Sequence, residues 1–154
     1  MMRLYPGKLC GWRHVEVEHV DGDWWKLHQN PDDPLRFVGR GNLVLTPPNK
    51  FVHDFGTIPR LARLLMGSPA GEPDFAQHAG KVYPIHDWAY EHQQWDDGTP
   101  LTRDEADSIL ARALDQVECA EWYVRLVYAA VRLGGAGYWN KHRTGHPSTY
   151  GGKP

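Results

Sequence analysis

Apolar and polar positions alternate early in the chain, then change period. Val15, Val17 and His19 alternate with Glu16, Glu18 and Val20, the two-residue rhythm of a half-buried strand. Asp21-Gly22 supplies a hairpin turn, and Trp24 to Leu27 returns as a second extended segment. Asn30 to Pro34, with two prolines and two aspartates, reads as a loop. Leu35 to Val38 and Leu43 to Thr46 flank a Gly39 to Asn42 turn and predict a second hairpin. Pro47-Pro48-Asn49 breaks the chain, and Phe51-Val52 is a short extended piece.

The second part has helical spacing. Thr57 caps a short helix with Ile58-Pro59 at its start, Arg60 to Met66 carries it, and Gly67 ends it. Ser68 to Gly80 reads as loop. A helix is expected over Pro84 to Gln94, stopped by Asp96-Asp97-Gly98. Thr102 and Glu105 have capping-box spacing. Behind them Ala106, Ile109, Leu110, Ala113, Leu114 and Val117 form an apolar stripe. A last helix runs from Ala120 to Leu133, with Trp122, Leu126, Ala129, Ala130 and Leu133 on one broad face, and Gly134-Gly135 ends it. The expected fold class is α+β: a small N-terminal antiparallel sheet followed by a helical bundle. The chain reads as a single domain, sheet-rich over 1–56 and helical over 57–140, with a flexible tail over 143–154.

Composition narrows the function classes. The chain has 154 residues, 41% hydrophobic and 23% charged, enough for one real core. Its 17 basic and 19 acidic side chains leave a net charge of -2, which argues against broad phosphate-backbone binding. Lys141, His142, Arg143 and His146 form a local basic patch beside the tail. Only Cys10 and Cys119 are present, so no disulfide framework is expected. Met1 to Leu9 has no apolar leader, and Trp122 to Leu133 is too short to span a bilayer. The expectation is a soluble intracellular protein without a signal peptide, or one released by lysis rather than export.

Candidate chemistry centres on His86 and Asp87. Adjacent helical residues point about 100° apart, so the two face different neighbours. Across the turn at Gly98, Asp107 falls at a similar height and can accept a hydrogen bond from one ring nitrogen of His86. That bond fixes the tautomer and leaves the other nitrogen as a base for water. An ordinary histidine, with a pKa of about 6.5, is largely neutral near pH 7. Tyr90, one turn after His86, carries a hydroxyl that can bond a carboxylate. Asp87 would project away to bind a cation, with Asp54 as a second oxygen ligand. Ca²⁺ is the expected ion, ahead of Zn²⁺ or Mn²⁺. Plainer readings stay open: a polar pair fixing two helices, an aspartate placed for its helix dipole, a turn residue at 54, and a core tyrosine at 90. Arg103, four residues before Asp107, can pair with it along the helix. His53, His78 and His92 have no zinc-like spacing with cysteine.

Three motifs carry a resemblance: Phe51-Val52-His53-Asp54-Phe55-Gly56-Thr57-Ile58-Pro59-Arg60, Ile85-His86-Asp87-Trp88-Ala89-Tyr90, and Arg103-Asp104-Glu105-Ala106-Asp107. Together, over residues 43–139, the chain resembles an uncharacterised family of phage- and prophage-encoded proteins (domain of unknown function 1353). More remotely, His86-Asp87-Trp88-Ala89-Tyr90, Asp107 and the segment Ala120 to Gly134 resemble the bacterial and fungal secreted phospholipase A2 type. That resemblance implies an antiparallel helix pair on which His86 activates water, Asp107 orients it, Tyr90 supports the network, and Asp87 binds calcium. The chain departs from that type in lacking disulfides and a glycine-rich calcium loop just upstream. The resulting expectation is a phage-encoded, cation-assisted hydrolase of an ester, with a lipid as the implied substrate. The alternative is a non-enzymatic virion or host-interaction protein in which the cluster is structural and Trp12, Trp24 and Trp25 form a contact surface. Enclosure of His86, with both ring nitrogens bonded to protein, would remove the hydrolase reading; an open cleft would favour it.

Overall fold

The computed structural model describes residues 2, 4–21, 24–53 and 79–143. The helix expected over Thr57 to Met66, the loop after it, and the tail from residue 144 lie outside the described residues. Six strands are described: β1 (Lys8–Cys10), β2 (Glu16–Asp21), β3 (Trp24–His28), β4 (Arg36–Val38), β5 (Val44–Leu45) and β6 (Val52–His53). Four helices follow: α1 (Tyr83–His92), α2 (Arg103–Gln116), α3 (Glu121–Gly134) and α4 (Ala136–Arg143). The α+β order expected from the sequence is therefore present, an antiparallel sheet region followed by a helical bundle.

Both predicted hairpins form, yet they belong to two sheets. One is ordered β1-β4-β5 and the other β2-β3-β6, all neighbours antiparallel. Strand β1 was not expected, because three residues carry too short a pattern. It is held by long-range partners: Leu9 opposes Phe37 in β4, and both are buried. Gln116 at the end of α2 adds a clamp. Its Oε1 accepts from the Leu9 amide at 2.6 Å, while its Nε2 donates to the Gly7 carbonyl at 2.8 Å. β6 pairs with β3, setting His53 opposite Trp25.

The hairpin between α1 and α2 follows the expected turn. Gln93 ends α1 in the left-handed region, and its carbonyl takes the Leu101 amide at 3.0 Å. Thr102 and Glu105 form the complete capping box that starts α2. The stripe from Ala106 through Val117 is buried as expected.

Helix α3 differs. Its buried residues are Tyr123, Val124, Val127 and Val131. Of the face predicted from Trp122, Leu126, Ala129, Ala130 and Leu133, Trp122 (55%), Ala129 and Leu133 (88%) are exposed, while Leu126 and Ala130 are half-buried against the core. Two apolar stripes compete on this helix, and the one made of Tyr123 and three valines is the one buried. Gly134-Gly135 ends α3 as expected, and a further helix follows without a loop. Gly135 keeps helical angles (φ -78°, ψ -15°), its carbonyl accepts from Trp139, and α4 begins at once.

Candidate functional site

Helices α1, α2 and α3 converge on one carboxylate. Asp107, in the second turn of α2, takes His86 Nε2 on its Oδ1 at 3.0 Å. The Tyr90 hydroxyl donates to the same oxygen at 2.5 Å, and Arg132 Nη1 donates to Oδ2 at 2.9 Å. His86 and Asp107 are both 0% exposed. The capping box fixes where α2 begins and so sets the height of Asp107. The residues at 86 and 90 sit one turn apart on α1, so both reach across the hairpin to the same place. Their rings meet edge to face, 4.4 Å between centroids.

Burial pushes the Asp107 carboxyl towards its neutral form. Hydrogen bonds and charge from His86, then hydrogen bonds from Tyr90 and Arg132, outweigh burial and hold it below the ordinary 3.8. Asp107 is therefore an ionised acceptor. An acceptor-only group needs a donor opposite, so Nε2 of His86 carries a ring hydrogen towards Asp107; whenever the ring holds a single proton, the lone pair is then at Nδ1. Burial first, then the Asp107 charge, raises the Tyr90 hydroxyl well above its usual 10.0, keeping it a donor.

Asp87 turns the other way. Its Oδ2 lies 3.4 Å from Nδ1 of His53 on β6, at 2% and 0% exposure respectively. The chain thus has two buried His–Asp pairs, His86–Asp107 and His53–Asp87. The sequence reading gave His53 no role. The available signal was alternation: Phe51 and His53 face inward while Val52 is half-buried, so His53 belongs to the core side of its strand. Stacking of Phe51 on His53 at 6.0 Å, in near-parallel planes, fits that placement.

Arg132 was also missed as a site residue, although it lies within the Trp122 to Leu133 run. It supplies the cation that the sequence suggested Arg103 would bring to Asp107. Arg103 Nη1 instead donates to the Arg132 carbonyl at 3.2 Å, and Arg132 Nη2 reaches Asp104 at 3.2 Å. Gly135 completes the wall: a methyl group there would run into the Tyr90 hydroxyl. Trp139 on α4 closes against the Tyr90 ring, 5.1 Å between centroids.

The structure brings together His86, Asp107 and Tyr90, and sets Asp87 on the far side of α1. Asp54 and His78 lie outside the described residues. Among the described residues, no group of three or more His, Cys, Asp or Glu side chains is placed to hold a metal. At Asp87 the described neighbour is an imidazole. Ca²⁺ takes six to eight oxygens; Asp87 offers a carboxylate, and Asp54, the expected second ligand, lies outside the described residues. Among the described residues, no helix is long and apolar enough to cross a membrane.

These features define a small α+β protein whose helices meet at an enclosed histidine–carboxylate network. The chain belongs to a phage-associated family, Protein of unknown function (DUF1353), whose model matches residues 31–131. No curated protein and no solved structure matches it. Nothing in these comparisons supports the likeness to secreted phospholipases A2.

Proposed function

We propose that the protein is a hydrolase of ester bonds in which His86 is the general base and Asp107 its orienting carboxylate. The observation that carries this reading is the shared Oδ1 of Asp107, held by His86 Nε2 at 3.0 Å and by the Tyr90 hydroxyl. With the proton at Nε2 committed to Asp107, the lone pair at Nδ1 takes a proton from water as the oxygen attacks the ester carbonyl. The imidazolium that forms is stabilised by Asp107, then returns the proton to the departing alkoxide. Tyr90 keeps Asp107 from rotating. The phospholipase A2 resemblance implies an antiparallel pair of α1 and α2, and a lipid ester is the substrate class that follows from it. A cation at Asp87 and Asp54 remains part of the proposal as a binding question, and no step above passes through it.

The second reading is that the network locks the bundle together and does no chemistry, as in a virion or host-interaction protein. The enclosure of His86, 0% exposed, favours it, since a base must meet water and substrate. Catalysis therefore requires that the wall over His86 open during turnover.

The two readings separate in one experiment. Wild-type protein, His86→Asn and Asp107→Asn are assayed on a nitrophenyl ester and on phospholipid vesicles, with and without Ca²⁺, Mn²⁺ or Zn²⁺. Folding of each variant is checked by circular dichroism. The hydrolase reading expects the folded His86→Asn protein to lose about 10²–10⁴ of the rate. Wild-type activity no higher than that of folded His86→Asn on every ester would leave only the structural reading.

A further inference from the structure

A second feature lies away from the dyad, where β1 turns into the segment Gly11 to Val15. It is a cleft of about 300 Å³, lined among others by Lys8, Trp12, Arg13, His14, Asp33 and Arg36. That volume is at the lower end of small-ligand sites. Its charge runs against the balance of the chain. Two arginines, a lysine and a histidine meet one carboxylate, in a protein whose net charge is -2.

The cations are held in place by the fold. In the β1–β4 register Cys10 opposes Arg36, and Lys8 sits two residues from Cys10, so all three share one face. Leu9 and Phe37 take the other face into the core. Arg13 lies over the Trp12 ring at 4.9 Å, which restrains the guanidinium at the cleft wall. Arg36 is fixed through Nη1, which donates to Asp33 at 3.2 Å and to the Pro34 carbonyl at 3.1 Å. Both contacts use the same nitrogen, and a guanidinium has further N–H groups to offer. Gly11, at φ +73°, lets the turn close against Pro34; any side chain there would strike the Pro34 carbonyl.

We propose that this cleft binds a compact, multiply charged oxyanion of the phosphate type. Guanidinium forks match phosphate oxygens in geometry, and an ammonium beside them adds a mobile third donor. The site is separate from His86. The Gln116 clamp fastens β1 to the C-terminal end of α2, whereas Asp107 is near its start, about 14 Å away at 1.5 Å per residue.

Pyrophosphate is titrated into the full chain by calorimetry at fixed ionic strength, beside citrate as a carboxylate of comparable charge. The expected result is a Kd below about 1 mM for pyrophosphate and weaker binding of citrate. Lys8→Ala/Arg13→Ala should weaken pyrophosphate about tenfold or more. Arg125→Ala/Lys141→Ala, which removes the same charge elsewhere on the surface, should leave it unchanged. All four side chains are exposed, so each variant is expected to fold, and circular dichroism checks this. Absence of binding at about 10 mM, equal affinity for citrate, or equal loss in both double variants would each overturn the proposal.

Discussion

At Asp107 three donors from two other helices share two oxygens, so each contributes a distinct amount when removed. Tyr90→Phe deletes one hydrogen bond to a charged acceptor and leaves the ring in place against Trp139. Such bonds contribute about 1.5–3 kcal/mol. A loss of that size in urea-melt stability, with the helical spectrum intact, is expected. Gly135→Ala should cost at least as much, because the added methyl meets both the Tyr90 hydroxyl and the Val131 carbonyl. The two changes share the Tyr90–Asp107 bond, so the double variant should be less destabilised than the sum. Full additivity would mean that Gly135 acts through the Val131 carbonyl alone.

At the scale of elements, the capping box of α2 decides how firmly Asp107 is presented. Thr102 Oγ1 accepts from the Glu105 amide at 3.2 Å, and the Thr102 amide donates back to Glu105 at 2.8 Å. Thr102→Ala should cost about 1 kcal/mol, read as a lower urea midpoint at constant slope, while Thr102→Ser should retain most of it. Faster amide exchange confined to the first turns of α2 would locate the loss there. This element was legible in the sequence because cap, stripe and stop agree at every position. The His86–Asp107 pairing was legible for the same reason, since a short turn between two well-marked helices leaves little freedom in height. Strand β1 was not, because its partners are distant in sequence and its own pattern is three residues long. Nor was the orientation of α3, where Trp122 and Leu133 outweigh the valines by size although the stripe of Tyr123, Val124, Val127 and Val131 is the one buried. His53 and Arg132 escaped for a related reason. Each is a polar residue at an inward position, and its partner comes from a different element.

Across the whole molecule, a single ionised carboxylate links α1, α2 and α3, and its titration should be visible in global stability. The folded protein holds Asp107 below the ordinary 3.8 because the donors from His86, Tyr90 and Arg132 outweigh burial. The unfolded chain releases it to that ordinary value. At pH below about 4 the unfolded state therefore takes up the proton first, and stability is lost as pH falls towards the folded value. Above about pH 5 both states are ionised and the contribution is complete. Other carboxyls titrate in the same range, Glu18 beside His28 and Asp97 beside Thr99 among them. Their effect cancels when wild type is compared with Asp107→Asn. The stability difference between the two proteins should thus shrink steadily from about pH 5 towards pH 2. A difference that stayed constant down to pH 2 would mean that the carboxylate at 107 is not the charge on which the three helices close.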